Sequence, residues 1–419
     1  MFHNFQKDVF KVLNANVISS IISIISIVVI SRVFIDSVVG FWAIAISIAS
    51  LLSILSNARL DMALLGVDNN VERNNIVRII ISLTIALVLF VTILYLVSIF
   101  VLKNSYINID IYDYIFGLFL IILLSLRSTF GYWLLVEKNF KKYGAMNVVR
   151  SFTFLSMIIV FFIFKDIKWQ FNELILISVI SELIGLISII RYIPLEGLYD
   201  IRKYTPAHLS NIKLYKDYWG WGTLSEIVNH LVRQIPIFAI LSVGGAAAVG
   251  QYIMALRVLS APNAVIAKAI GDVYVQRASE EYIEEKKCSG SFRVALLTLL
   301  IVGIPIFIVS YYFSPELMPI ILGVSWIEAG KIAQPLSLFM LASFVASTLG
   351  RTLQVIKRQK IDFFWQLSLI LLIALISVYS IYTEHTVLEF IWNYVFIYTG
   401  LYLVLLLISG LLSEKKRLL

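Results

Sequence analysis

Cysteine is almost absent. Cys288 is the only one in 419 residues, so the chain can form no internal disulfide framework. Histidine is nearly as scarce: His3, His208, His230 and His385 are scattered, and no Cys/His cluster has the spacing of metal ligands. Charge is sparse as well, at 14% of residues against about 25% in soluble globular domains. In its place 60% of the chain is hydrophobic, and the mean hydropathy is +0.91. A soluble fold of this length could not bury so much apolar surface.

Apolar stretches long enough to span a bilayer, ~20 residues each, recur about twelve times. They fall at 12–31, 40–58, 77–102, 113–136, 145–164, 173–190, 218–242, 246–268, 293–312, 332–350, 361–382 and 387–410. The stretch Ser314–Lys331, with Pro315 and Pro319, is expected to lie partly buried at the interface. The run from Val12 to Ile30 is too long for a signal-peptide core, and no cleavage site follows it, so it reads as a permanent helix. The formal charge is +8, but the basic residues do not form a nucleic-acid patch. They sit on alternate connections, from Lys7, Lys11, Arg59, Arg73 and Arg78 to Lys415, Lys416 and Arg417, while Lys103, Lys165 and Lys168 are on the other side. The ratio is about five to one, which predicts that both termini are cytoplasmic.

The longest polar stretch, Arg191–Asp217, carries Pro194 and Pro206 and divides the chain into two six-helix halves. The expected domains are 1–205, an N-terminal bundle with the start of the linker, and 206–419, a C-terminal bundle. Six spans per half give both halves the same orientation. A short echo supports a repeat: Val39-Gly40-Phe41-Trp42-Ala43 opens the second span and Val249-Gly250-Gln251-Tyr252-Ile253 the eighth. The fold class is therefore an all-α polytopic membrane protein of about 12 transmembrane helices in two bundles.

Charges within the spans are the candidates for function, because an Arg at the bilayer centre costs about 2.5–3.5 kcal/mol on insertion scales. Glu226, His230 and Arg233 follow i, i+4, i+7 spacing and share one helix face. They read either as a buried Glu–Arg pair that fixes packing or as a cavity wall with a titratable group. Arg257 and Lys268 are eleven residues apart on the eighth span, on one face and about 16 Å apart, with Pro262 between them; Lys268 also suits an interfacial anchor. Arg127 and Lys138 repeat that spacing on the fourth span. Asn16, Ser20 and Ser23, and then Ser47, Ser50, Ser53 and Ser56, form small polar stripes of the kind found at helix contacts. Arg59 and Asp61 read as a gate pair or as a surface pair, and Glu182 and Asp362 are further acids. The cations outnumber the acids at depth, which points to an anionic cargo, since Arg presents a planar fork of donors to phosphate.

Three segments resemble a known family. Gly250 to Glu280 resembles the eighth-helix signature of polysaccharide-biosynthesis flippases. Leu322-Gly323, Trp326, Ala329-Gly330 and Arg358-Gln359-Lys360 resemble the motif around their tenth helix, and Arg32 to Ala63 resembles their first-to-second-helix region. The family is that of the Wzx-type O-antigen and capsule flippases, in the MOP superfamily with the MATE exporters and the lipid II flippase. The resemblance implies a MATE-like, V-shaped pair of bundles around a cationic cavity in the bacterial inner membrane. It implies a cargo of undecaprenyl-pyrophosphate-linked oligosaccharide, moved from the cytoplasmic to the periplasmic leaflet by alternating access, with the polyprenyl tail in membrane lipid. It also implies a polymerase and a chain-length regulator as partners in lipopolysaccharide or capsule synthesis, and coupling to a proton or sodium ion. On that reading Arg59, Arg127, Arg233, Arg257 and Lys268 bind substrate, while Asp61, Glu182, Glu226 and His230 couple or gate. No cofactor, metal or nucleic acid is expected. A MATE-type ion-coupled exporter of small amphiphiles is the competing function; it predicts an excess of deep acids. An enzyme such as a polymerase would need larger outward loops with paired carboxylates, and a channel would need a filter-like repeat.

Overall fold

A computed structural model describes residues 2–67, 69–101, 111–164, 171–193, 215–216, 218–356 and 358–414. The expected linker around Pro194, Arg202, Lys203, Pro206, His208 and Lys213 lies outside these residues. So do Lys103, Lys165, Lys168, Lys357 and Lys415 to Arg417, as well as the 205/206 boundary. No strand occurs among the described residues. The helices are α1 Phe2–Val33, α2 Asp36–Asn57, α3 Leu60–Ala63, α4 Asn70–Val101, α5 Ile111–Val136, α6 Phe140–Ile163, α7 Phe171–Ile187 and α8 Thr223–Pro262. They continue with α9 Lys268–Glu285, α10 Ser289–Leu322, α11 Ile327–Leu349, α12 Thr352–Val355, α13 Gln359–Tyr382 and α14 Val387–Glu414.

Ten of the described helical stretches are long and apolar enough to cross a membrane, and Val17–Val33 of α1 is a shorter apolar one. The stretch Tyr218–Pro262 breaks at Gly245, whose φ of 72° and ψ of −175° no helix can hold. It is therefore two segments, meeting where the sequence separates its seventh and eighth spans, and the count returns to twelve. The stretch Ser314–Lys331 is largely helical: α10 runs through Pro315 and Pro319 to Leu322, and α11 begins at Ile327.

The chain packs as two compact units, Met1–Ser26 with Trp42–His230, and Ile27–Phe41 with Leu231–Leu419. In the first, α5 and α6 both pack on α7. Trp42 Nε1 donates to Ser178 Oγ at 2.8 Å, and Ser19 and Ser151 share a buried hydroxyl bond at 2.8 Å. Thus Ser19, the neighbour of Ser20 in the expected stripe, makes an interhelical contact of α1. Ser47, Ser53 and Ser56 turn back to carbonyls of their own helix.

In the second unit α11 is the central element. Its small and apolar residues are buried on all sides, between α10 and α14. The ends of α1 and α2 join this unit through close backbone approach. A Cβ on Gly40 would stand 1.8 Å from the Ala246 carbonyl oxygen, and one on Gly250 would stand 2.0 Å from that of Asp36. The two glycines of the sequence echo therefore face each other's helix. Beside them Gln251 donates to Asp36 Oδ2 at 3.0 Å and Ser325 O at 2.9 Å, and accepts from Ala329 N at 2.9 Å. Trp326, fully buried, donates to Ser31 O at 2.8 Å, and Arg32 closes the C-terminus of α10 by donating to Ile320 O at 2.9 Å.

At the opposite end of α10, Glu281 accepts from the backbone N–H groups of Gly290 at 2.8 Å and Ser291 at 2.7 Å. These are the free donors of a helix start, where a carboxylate is favoured. Desolvation pushes its pKa up, but the bonds from Ser291 and Gly290 outweigh it and hold the carboxyl below its ordinary value.

Two predictions follow from this packing. Gly40→Ala and Gly250→Ala each lose about 2 kcal/mol or more, since only backbone movement can admit the new carbon. Gly117→Ala, with open space around its Cβ, is neutral or gains up to about 1 kcal/mol; melting of the purified variants measures both. For Glu281 the depressed folded-state pKa means that its stabilisation is present above the unfolded carboxyl pKa and is lost as pH falls through the folded one. Glu281→Gln should then melt below the parent at neutral pH and together with it in strong acid.

Candidate functional site

The first unit gathers its polar side chains around α5. Arg127 lies nine residues before the end of α5 and Arg150 ten after the start of α6, which at about 1.5 Å per residue sets each about 14–15 Å from that end, half of a hydrocarbon layer of ~30 Å; Glu182 lies five residues before the end of α7. The three meet: Arg127 Nε is 3.1 Å from Glu182 Oε2, and Arg150 Nη1 is 3.3 Å from Glu182 Oε1. The Arg127 contact is a close charge pair without hydrogen-bond alignment, because both of its atoms lack an aligned partner. Gly185, one turn from Glu182, makes the approach feasible, since its missing Cβ would lie 3.1 Å from that of Arg150. The acid is 7% exposed and the two guanidinium side chains about a third, so one carboxylate is shared by two accessible cations and the cluster keeps a net positive charge.

A second group is built where α2 stops. Asn57 pairs with Ser125 through both of its amide atoms, so α2 ends beside a residue eleven positions before the end of α5. Ala58 (φ 46°) and Arg59 (φ 53°) then take left-handed conformations that non-glycine residues rarely adopt. The short α3 follows, packed on α5. This turn buries Asp61 to 4% exposure. Its carboxylate accepts from Ser128 Oγ, Asn57 Nδ2 at 3.3 Å and Met62 N at 2.9 Å. Thr84 of α4 joins through Ser125 at 2.9 Å. Arg59 turns away to Glu226, with Nη2 and Oε2 3.3 Å apart. Tyr132 lies among Arg59, Asp61 and Glu226.

Several sequence expectations are corrected here. Arg59 and Asp61 are not paired with each other: one meets Glu226, and the other is held by hydroxyl, amide and backbone donors. Glu226 does not pair with Arg233. Arg233 is exposed, beside Tyr398 and Tyr402 in the second unit, and forms no ion pair among the described residues. His230 is buried and carries its proton on Nε2, which meets Ser47 O at 3.2 Å. Lys138 stands beyond the end of α5 with φ 55°, off the face of Arg127. A π-helical turn, Asn263–Ala267, separates Arg257 from Lys268 and breaks their shared face. Arg257 is half-buried in α8, and Lys268 is exposed at the start of α9.

Arg150 and Asn57 are missing from the sequence candidates. The charge pattern sets Arg150 among the cytoplasmic-side charges, yet it lies inside the predicted span 145–164, and an arginine within a span was the usable signal. Nothing in the sequence marks Asn57, whose role depends on what packs against the last turn of α2. Removing the shared acid tests the cluster: Glu182→Ala should lower stability by on the order of 2 kcal/mol, because two cations at membrane depth lose their counterion. A double-mutant cycle with Arg127→Ala should show coupling between the two positions.

A family profile described as polysaccharide biosynthesis protein matches residues 28–331. Teichuronic acid biosynthesis protein TuaB of Bacillus subtilis (strain 168) is 22% identical over 203 residues, which are 47% of this chain and 41% of that protein. The chain therefore aligns with less than half the length of this relative. Among solved structures, the lipid II flippase MurJ in an inward closed conformation superposes with a TM-score of 0.73, at 14% identity over 94% of this chain and 86% of that one. A multidrug resistance MATE family transporter of the MOP superfamily, inward-facing, gives 0.66 at 12% identity over 94% of each chain. These likenesses establish the fold.

Proposed function

Because the chain belongs to the polysaccharide biosynthesis protein family, we propose that it is a flippase for a lipid-linked glycan, an undecaprenyl-pyrophosphate-linked repeat unit of a surface polysaccharide. The observation that carries this reading is the Arg127–Glu182–Arg150 cluster, with two guanidinium groups against one carboxylate at about mid-membrane depth. An arginine offers five donors, and one shared carboxylate occupies few of them. The diphosphate of the cargo is the anion that would take up the rest, and removing it restores the Glu182 contacts. The step is transfer between leaflets, so no bond of the cargo is broken and the protein is not an enzyme. Arg59 with Glu226 serves as the movable pair of the same unit. Asp61, buried and without a cationic partner among the described residues, is the proposed coupling acid, for a proton or a sodium ion. The inner membrane, cytoplasmic termini, and a polymerase and chain-length regulator acting on the same glycan belong to this proposal.

The test is the lipid-linked glycan in cells that lack the protein. Undecaprenyl-linked units should accumulate on the cytoplasmic side while surface polysaccharide disappears. If single units still reach the far leaflet, the cargo is another amphiphile and the exporter reading replaces this one. In complementation, Arg127→Ala and Arg150→Ala should each cut export at least tenfold with protein still in the membrane, and Lys at either site should restore only part of it. Asp61→Asn should flatten the pH or sodium dependence of transport; an unchanged profile removes Asp61 from coupling.

A further inference from the structure

The second unit carries a groove of about 800 Å³ between α9 and the first turns of α10. Ligand sites commonly run from about 300 to 1,000 Å³. Both helices meet one membrane face there, since α9 follows the eighth span and α10 opens the ninth. The bonds from Gly290 and Ser291 to Glu281 fix an antiparallel register. Stepping four residues at a time along both helices sets Arg277 against Val294 and Val273 against Thr298.

The groove therefore changes character along its length. Toward the span it is lined by Ala269, Val273, Val294 and Thr298, with Val273 and Val294 53% and 59% exposed. Toward the aqueous end it is lined by Arg277, Lys287 and Glu281. The acids of that end are engaged: Glu281 holds the start of α10, and Glu285 pairs with Lys287 at 3.1 Å. Arg293 at the rim meets Glu414 at 2.7 Å, both well exposed. Arg277 forms no hydrogen bond or ion pair among the described residues.

We propose that this groove binds an anionic membrane phospholipid, with its phosphate at Arg277 and an acyl chain along Val273 and Val294. A free anion would gain nothing from the apolar half, and an uncharged amphiphile would leave Arg277 without a partner. A zwitterionic headgroup brings its own ammonium to compete for the phosphate. Basic pockets beside spanning helices favour anionic headgroups for the same reason. The site is separate from the charged cluster of the first unit and does not depend on what the protein transports.

The experiment is thermal melting of the full-length protein, purified in detergent and stripped of lipid, against added dioleoylphosphatidylglycerol. The melting temperature should rise with concentration and saturate, while dioleoylphosphatidylcholine and inorganic phosphate leave it unchanged. Arg277→Gln breaks no contact within the protein, so its lipid-free melting should match the parent. Its apparent affinity for the anionic lipid should fall at least tenfold. Val294→Trp, which fills the apolar half, should do the same with every charge in place, and Arg277→Lys should keep most of the effect. A response of Arg277→Gln and Val294→Trp to the anionic lipid equal to that of the parent would overturn the proposal. So would a phosphatidylcholine or phosphate response equal to the phosphatidylglycerol one. Stabilisation by undecaprenyl phosphate but not by phosphatidylglycerol would also overturn it and make the groove a cargo site.

Discussion

A polar group carried into a lipid slab has no water to bind, so its partner must come from within the protein. The first unit is organised by that constraint. Helix α5 presents Ser125, Arg127, Ser128 and Tyr132 within two turns, and each neighbour supplies what one of them needs. Helix α7 brings Glu182 to Arg127, α3 brings Asp61 to Ser128, and α2 and α4 bring Asn57 and Thr84 to Ser125. None of these partners is close in sequence. The charges and hydroxyls thus act as long-range addresses that determine which helices pack on α5, and removing one leaves its partner exposed to the same constraint.

The second unit meets a different demand, close approach of backbones. Gly40 and Gly250 let the starts of α2 and the eighth span touch, and Gly330 lies where a Cβ would stand 2.8 Å from Pro315 Cα. Gly323, at φ 116°, makes the turn that delivers Trp326 to Ser31. These residues are the ones that carry the family resemblance in the sequence. Their roles here are steric, set apart from the charge pairing that organises the first unit.

That division also explains what the sequence could disclose. Span positions follow from hydropathy, because burial in lipid selects apolar residues independently of tertiary contacts, and Gly245 falls between two predicted spans. The membership of the charge cluster was partly visible: Arg127, Glu182 and Glu226 stand out as charges within spans, and Arg59 and Asp61 as charges at the end of the second. Their pairing was not visible. Helical spacing suggests Glu226 with Arg233, but Arg233 is exposed, and the left-handed turn after α2 carries Arg59 to Glu226 instead. The turn at Ala58 and Arg59 carries no glycine or proline to announce it, because the surrounding packing imposes the left-handed backbone and local preference does not. The π turn at Asn263–Ala267 likewise shifts Lys268 off the face that an ideal helix would give it.

The asymmetry of exposure within the charge cluster bears on how it could work. Glu182 is 7% exposed and held from two sides, whereas Arg127 and Arg150 are 32% and 30% exposed. The acid is thus a fixed counterion and the bases are its accessible partners. In a fully buried triad each charge would depend on a single geometry, and displacing the acid would be costly. Here both guanidinium groups can stay beside Glu182 while turning donors to an incoming anion. The carboxylate repels that anion at the same time, which weakens binding and favours release. On the proposed function, a site that holds a diphosphate only as tightly as two partly neutralised arginines allow can both load and unload it, as transport between leaflets requires. A stronger cluster, without Glu182, would bind the same anion and retain it.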